Sequence, residues 1–353
     1  MKELIGLKKI GEYTDKDYKE SDLPPELLTH YVENLNTEDP SRLSAKREAE
    51  ELLRQELARL KAFKSVYGTT KDFVKAVKYK NTAESLVICV SDWHVGKVIK
   101  NEKGVITYDT NIATKVMAEV FADRIIRLIK RIGSHTLIDE VVILLIGDLI
   151  ENEIIYETQV HHIDMPAVQQ KKQAVRALLK FVAAVEEAFT QLGLKNIRIR
   201  IEGVGGNHGR TGFRTSEESS WDIAIMDELD LAFTIMKKPN VTVDYSLTPY
   251  KNIEIRGHRG LIRHHAPVQA ETPSGKAKFG GWHEMFGYNF MCYGHFHHYG
   301  IFSYNGIPIF RNGSICGTDS LAVELAVRDR PSQIMFGVSE KEVPTFMYKV
   351  NLD

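Results

Sequence analysis

The chain has 353 residues, with 46 Lys and Arg against 47 Asp and Glu and a formal net charge of −1. Apolar residues make up 43% and charged residues 26%, the proportions of a globular protein with one large domain or two modest ones. This balance excludes a uniformly cationic nucleic-acid binder, and no apolar run approaches the ~20 residues of a membrane span. The first residues, Met1 to Tyr13, lack an apolar core of signal-peptide length. Cys89, Cys292 and Cys316 are few and widely spaced, which reads as buried, reduced thiols in a cytoplasmic protein.

Residues 1–40 are polar and broken by Pro24, Pro25 and Pro40, an irregular lead segment with room for one short helix after Leu23. Ser41 reads as a helix start, and Leu43, Ala49, Leu52, Leu53, Leu57, Leu60 and Phe63 then recur at helical spacing. The expected amphipathic helix, 41–66, needs a partner for its apolar stripe: the main domain, a second copy or another protein. The stripe keeps no clean heptad, which disfavours a coiled coil. A basic stretch follows (Arg59, Lys61, Lys64, Lys71, Lys75, Lys78, Lys80), opposed only by Asp72. It is either a solvated face or a contact for a phosphate backbone.

From Leu86 the pattern changes. Leu86–Val90 and Val141–Ile146 are continuous apolar runs, as in buried parallel strands. Helix-period sequence spans 109–132 and 165–192, the second stopped by Gly193, and Ile197, Ile199 and Ile201 alternate like a half-buried strand. Such β-α-β-α-β alternation predicts a layered α/β fold. Further strands are expected at Val241–Tyr245, Ile253–Arg256, Leu261–Arg263, Asn289–Tyr293, Ile301–Tyr304 and Ile307–Arg311, with Asn305-Gly306 a hairpin turn between the last two. The chain thus divides into an N-terminal helical extension, 1–82, and a main domain, 83–353.

Metal-type ligands stand where these strands end: Asp92 and His94, Asp148, Asn207, His264, then His295 and His297. Ligands in α/β folds gather at the carboxyl ends of strands. Imidazole, carboxylate and amide oxygen together are the donor set of a hydrolytic two-metal centre. If the chain is extended there, Asp92 and His94, and likewise His295 and His297, project to one side as i and i+2 neighbours. Gly147, Gly205, Gly206 and Gly294 allow sharp turns beside them. Taken singly, each group is explained by structural hydrogen bonding; the ordered set is not.

The chain resembles the calcineurin-like metallophosphoesterase superfamily, whose pattern is D-x-H, G-D-x-x-[DE], G-N-H-[DE], a His at a strand end, then G-H-x-H. Over about 85–318 it offers Asp92-Trp93-His94, Gly147-Asp148-Leu149-Ile150-Glu151, Gly206-Asn207-His208, His264 and Gly294-His295-Phe296-His297. The resemblance implies a two-sheet β-sandwich core flanked by helices in four layers, with 83–353 as the catalytic domain. It implies two divalent metals, manganese foremost, with iron, zinc, nickel or cobalt as alternatives. Asp92, His94 and His297 would bind the first, Asn207, His264 and His295 the second, and Asp148 would bridge them. His264 is preferred to its neighbour His265. His208 would not bind metal but would stabilise or protonate the leaving oxygen, while a hydroxide between the metals attacks phosphorus in line.

Two positions depart from the pattern. Gly209 stands where an acid commonly supports the catalytic His, leaving the distant Asp222 as a candidate to orient His208. Asn152 stands where phosphoprotein phosphatases carry a phosphate-gripping Arg, which disfavours that activity; Arg210 is the candidate replacement. Gly-Asn-His-Gly-Arg at 206–210, Asn312-Gly313-Ser314 and Pro331-Ser332-Gln333 resemble phage-encoded members, which act in the host cytoplasm. Repair nucleases of the superfamily share the motif order. The expected function is therefore a phosphodiesterase or nuclease on DNA or other nucleic acid. Its catalytic residues would be His208, Asp148 and Arg210, and its substrate contacts Arg210, Asn152, His161, Lys71, Lys75 and Lys78. The alternatives are a small-molecule or cyclic-nucleotide phosphoesterase, a phosphoprotein phosphatase, or a metal-stabilised scaffold.

Overall fold

The computed structural model describes residues 83–353 apart from 134–135, 217, 268–269 and 320–328, together with scattered positions between 47 and 62. The chain divides into two compact units, Met1–Lys80 and Asn81–Asp353. In the first, the described positions from Arg47 to Ala62 are helical. Lys71, Lys75 and Lys78, and residues 63–66 at the end of the expected helix, lie outside the described residues.

In the second unit β1 is Glu84–Val90, followed by a small hairpin of β2 (Ile99–Lys100) and β3 (Ile106–Tyr108). The helical stretch expected at 109–132 forms as α1 (Thr110–Lys115), a π turn (Val116–Phe121) and α2 (Ala122–Ile132). Asp109 starts it, its carboxylate accepting from the backbone N–H of Ile112. Next come β4 (Ile138–Ile146), α3 (Ala167–Gln191), β5 (Arg198–Val204), α4 (Trp221–Ile235) and β6 (Val241–Tyr245). The remaining elements are β7 (Tyr250–Ile255), β8 (His258–Arg263), α5 (Pro273–Phe286), β9 (Phe290–Tyr293), β10 (Gly300–Tyr304), β11 (Ile307–Arg311), β12 (Ser332–Val338) and β13 (Met347–Asn351).

The strands form two main sheets, in the orders β13-β12-β1-β4-β5-β6 and β10-β11-β9-β8-β7. In the first, β1, β4, β5 and β6 run parallel; in the second, β8, β9 and β11 do. Alternation along β1 explains the layering. Val87 and Cys89 point into the space between the sheets, where Val142, Leu144, Ile262, Phe290, Cys292, Phe310 and Phe336 meet them. Leu86, Ile88 and Val90 point the other way, against Phe121, Phe181, Val185, Met226 and Leu229 of the helical layer. The outer face of the second sheet is covered from α5, with Phe279 packed among Leu261, Met291, Tyr293 and Ile309. The order is helices, sheet, sheet, helix: the expected α/β sandwich. All three cysteines are buried and free. Among the described residues no helix is long and apolar enough to cross a membrane.

The Phe336 ring is fully buried and stacks on Phe310 with centroids 4.5 Å apart. Phe336→Ala is expected to cost about 3–5 kcal/mol of stability, the usual effect of emptying an aromatic site in a core. Denaturant unfolding measures it, and a loss below ~1 kcal/mol would mean the inter-sheet core does not depend on this ring.

Candidate metal centre

The carboxyl ends of five parallel strands point to one edge of the sandwich. Asp92 and His94 follow β1, Asp148 follows β4, Asn207 and His208 follow β5, His264 follows β8, and His295 and His297 follow β9. Two groups result. The ligating atoms of Asp92, His94 and His297 lie within 4.8 Å of one another, and so do those of Asp148, His264 and His295. Asp148 stands between them, its Oδ2 3.0 Å from His264 Nε2 and 4.0 Å from His94 Nε2. His94 and His297 face each other Nε2 to Nε2 at 3.0 Å, and His297 Nε2 lies 3.6 Å from Asp92 Oδ1. His265 belongs to neither group; its ring lies against that of His295, centroids 3.8 Å apart.

The backbone is not extended at these positions, so the i and i+2 expectation is corrected. Asp92 (φ 51°), His94 (φ 50°), Asp148 (φ 53°), His295 (φ 76°) and His297 (φ 58°) all adopt left-handed conformations. Each costs roughly 1–2 kcal/mol in a non-glycine residue, strain of the kind that collects at functional sites. The turns also separate His295 from His297, which join different groups.

The donors suit divalent cations. Asn207 Oδ1 is buried without a hydrogen-bond partner, and it is an oxygen donor of the hard kind. Burial pushes His94 down to about 3 and, with the nearby His264, pushes His295 down to about 2, so both imidazoles are neutral and able to ligate. His264 goes the other way. Burial opposes its charge, but the Asp148 carboxylate outweighs burial and lifts it to about 9. The same field would draw a cation.

Three of the four imidazoles turn the distal nitrogen to an acceptor, which aims Nε2 at the centre. His94 Nδ1 faces Glu151 Oε2 at 2.8 Å, His264 Nδ1 faces the Ile146 carbonyl at 2.7 Å, and His297 Nδ1 faces Asp319 Oδ2 at 3.4 Å. Lys97 Nζ sits 2.7 Å from Asp319 and 3.7 Å from Glu151, balancing both carboxylates. Two further groups are as close-set: His94 with Asp148 and His208, which shares members with both, and His297 with Cys316 and Asp319, which Lys97 already supplies with positive charge.

The other expected site residues fall in different places. His208 Nδ1 lies 3.0 Å from the Glu151 carbonyl and 3.4 Å from its carboxylate, so Glu151, not Asp222, orients it. Asp222 instead accepts backbone N–H bonds from Asp148 (3.0 Å), Leu149 (3.0 Å) and Gly206 (2.9 Å). Burial and the adjacent Asp148 lift Asp222 to about 6. A side chain at Gly209 would run into this carboxylate, which explains the departure there. Asn152 is corrected as a substrate contact. It is buried, and its Nδ2 donates to the carbonyls of His208 (2.7 Å) and Arg210 (2.5 Å), stapling that loop. Arg210 Nε donates to the Asn207 carbonyl at 3.1 Å, within the same loop. His161 is exposed on the wall of a cavity of about 890 Å³, which Lys97, Lys100, Tyr156, His208 and His295 also line. Sequence reading places the Tyr156–His162 loop along the groove, and Tyr156, Thr158, Gln159, His161 and His162 do line the cavity; it did not foresee Lys97 or Asp319, of which only Lys97, in the same loop as His94, carried a local signal.

No family model matches the chain, and no curated protein does. Among solved structures it is similar to Vps29 from Entamoeba histolytica complexed with zinc, at 10% identity over 76% of this chain and 99% of that one, TM-score 0.31. It is also similar to a novel archaeal phosphodiesterase (10% identity, 75% and 99% covered, TM-score 0.32). A third is a predicted phosphoesterase from Streptococcus pneumoniae (10% identity, 76% and 98% covered, TM-score 0.28). At such distance the residues of the site itself carry the chemistry.

Asp222→Ala removes the acceptor of three buried N–H groups. It is expected to cost about 2–5 kcal/mol, the range for breaking a buried charge-assisted network, and to reduce divalent-metal content. Thermal melts and elemental analysis report the two effects; unchanged values in both would show that Asp222 does not hold the Asp148 and Gly206 turns.

Proposed function

We propose that the protein is a metal-dependent phosphodiesterase of the calcineurin-like type that acts on nucleic acid. The observation that carries this reading is the pair of ligand groups joined at Asp148, with His208 beside them. Asp92, His94 and His297 would hold one divalent cation, Asn207, His264 and His295 a second, and Asp148 both. Manganese fits this nitrogen and oxygen set, as do iron, zinc, nickel and cobalt. Such cations, when bound, polarise phosphoryl oxygens and make water acidic enough to attack at neutral pH.

The chain's own residues do the rest. Asp92 and Asp148 place negative charge where cations are to sit, and the buried imidazoles exclude water behind them. His208 has its Nδ1 engaged by Glu151, which leaves Nε2 facing the leaving oxygen, where the imidazolium form of the ring donates a proton. The cavity of about 890 Å³ has the size of a small-molecule cleft, far larger than one phosphate needs, and suits an ester with a nucleotide-sized group. Lys100 and His161 on its wall, and Lys71, Lys75 and Lys78 of the first unit, are the proposed contacts for the phosphate backbone.

Manganese is expected to support hydrolysis of bis(p-nitrophenyl) phosphate in preference to the monoester, and chelation to abolish it. His208→Ala is expected to retain its metal while losing about 10²–10⁴-fold in turnover. A fall in metal content measured by elemental analysis would make His208 a ligand instead, and absence of hydrolysis with every divalent metal would end the enzyme reading. Reversing charge at Lys71, Lys75 and Lys78 together is expected to weaken DNA binding at least tenfold and to flatten its salt dependence. Unchanged affinity in a fluorescence titration would remove the basic stretch from the substrate path and favour a small nucleotide ester.

A further inference from the structure

Tyr156 stands beside the ligand-type residues without being one of them. Its hydroxyl oxygen accepts from Asn207 Nδ2 at 2.8 Å, and its ring is tilted against that of His208, centroids 5.0 Å apart. It lines the cavity and is 49% exposed, so a bound ester can reach it.

The Asn207 contact has two consequences. Committing Nδ2 to the tyrosine turns Oδ1 the other way, and Oδ1 is the buried atom left without a partner. A phenolic hydroxyl has one proton and lone pairs to accept with, and the contact uses only a lone pair. The proton is left over, and among the described residues no acceptor is hydrogen-bonded to it. An ordinary phenol keeps that proton at neutral pH. A neutral donor is thus held between the amide of Asn207 and the ring of His208, open to the cavity.

We propose that Tyr156 is a catalytic residue of this site, its hydroxyl donating a hydrogen bond to a non-bridging phosphoryl oxygen of the substrate. The inference rests on the phosphodiesterase reading. Tyr156 transfers no proton. As water oxygen bonds to phosphorus, losing a proton to solvent, and the bond to the leaving oxygen breaks, the leaving oxygen takes a proton from the imidazolium form of His208, while negative charge on the non-bridging oxygens strengthens the Tyr156 bond. A preorganised donor aimed at developing charge stabilises the transition state more than the bound substrate.

The test is Tyr156→Phe in the full chain, which keeps the ring against His208. With manganese and bis(p-nitrophenyl) phosphate, kcat is expected to fall about 10–100-fold and KM to change less than about threefold, somewhat below the effect of deleting a fully enclosed donor. Calorimetry is expected to show manganese affinity within about threefold of wild type, and weaker binding of inorganic phosphate to the manganese-loaded variant. An unchanged melting temperature verifies the fold. Turnover within twofold of wild type overturns the proposal. So does a variant that loses manganese along with activity, since Tyr156 would then act only by holding Asn207, and so does a change confined to KM. A wild type with no manganese-dependent hydrolysis is a separate result: it ends the phosphodiesterase reading, and this assignment with it.

Discussion

Crowding of polar atoms in a buried volume is the constraint from which the rest of the structure follows. Asp92 and Asp148 are both shut off from solvent, and burial alone pushes Asp92 toward its neutral form. The Asp148 charge pushes it the same way, because like charges repel more strongly at the low dielectric of a buried site. The facing imidazole nitrogens of His94 and His297, 3.0 Å apart, need a shared proton or a cation between them. Left-handed backbone at five of these residues adds its own cost. Cations held there would offset both. The sandwich supplies the rigidity to impose it, because five parallel strands end at one edge and their turns have nowhere else to go.

The supporting shell shows how the departures from the family-like pattern fit together. Gly209 lacks an acid, and a side chain there would collide with Asp222. Asp222 lies in the first turn of α4, where a helix N-terminus favours negative charge, and from there it gathers three N–H groups of the Asp148 and Gly206 turns. Asn152, in place of an arginine, ties the His208 loop from below. The duty of orienting His208 passes to Glu151, which also faces His94. Thus Gly209 and Asn152, the two positions that depart from the pattern, both belong to a buried network that holds the turns.

What was legible in the sequence had a local cause. β1 and β4 stood out because strands buried on both faces must be apolar throughout, and the ligands stood out because each follows such a run. α5 was missed because its sequence, PSGKAKFGGWHEMF, carries Gly280 and Gly281 in its middle and buries only Gly275 and Phe279. β12 was missed because Ser332, Gln333 and Gly337 interrupt its apolar pattern, although every residue in it is buried. Gln333 is there for a reason no local window shows: its side chain bonds Ser91 and Asn312 under the site. Lys97 and Asp319 meet across 222 positions of sequence, and Tyr156 meets Asn207 across 51. Contacts of that kind exist only once the sheets have assembled.

The assembled site divides by exposure. Asp92, His94, Asp148, His264 and His297 sit on strand ends with almost no solvent contact, and their orienting partners are buried with them. Tyr156, Thr158 and His161 belong to one loop, exposed along the cavity. In the proposed reaction this rigid floor would fix where a phosphorus atom lies, and the loop, which bounds the cavity from the open side, would meet the rest of the ester. Tyr156 touches both halves, accepting from Asn207 in the floor while it lines the cavity, so one hydroxyl joins the buried floor to the exposed loop.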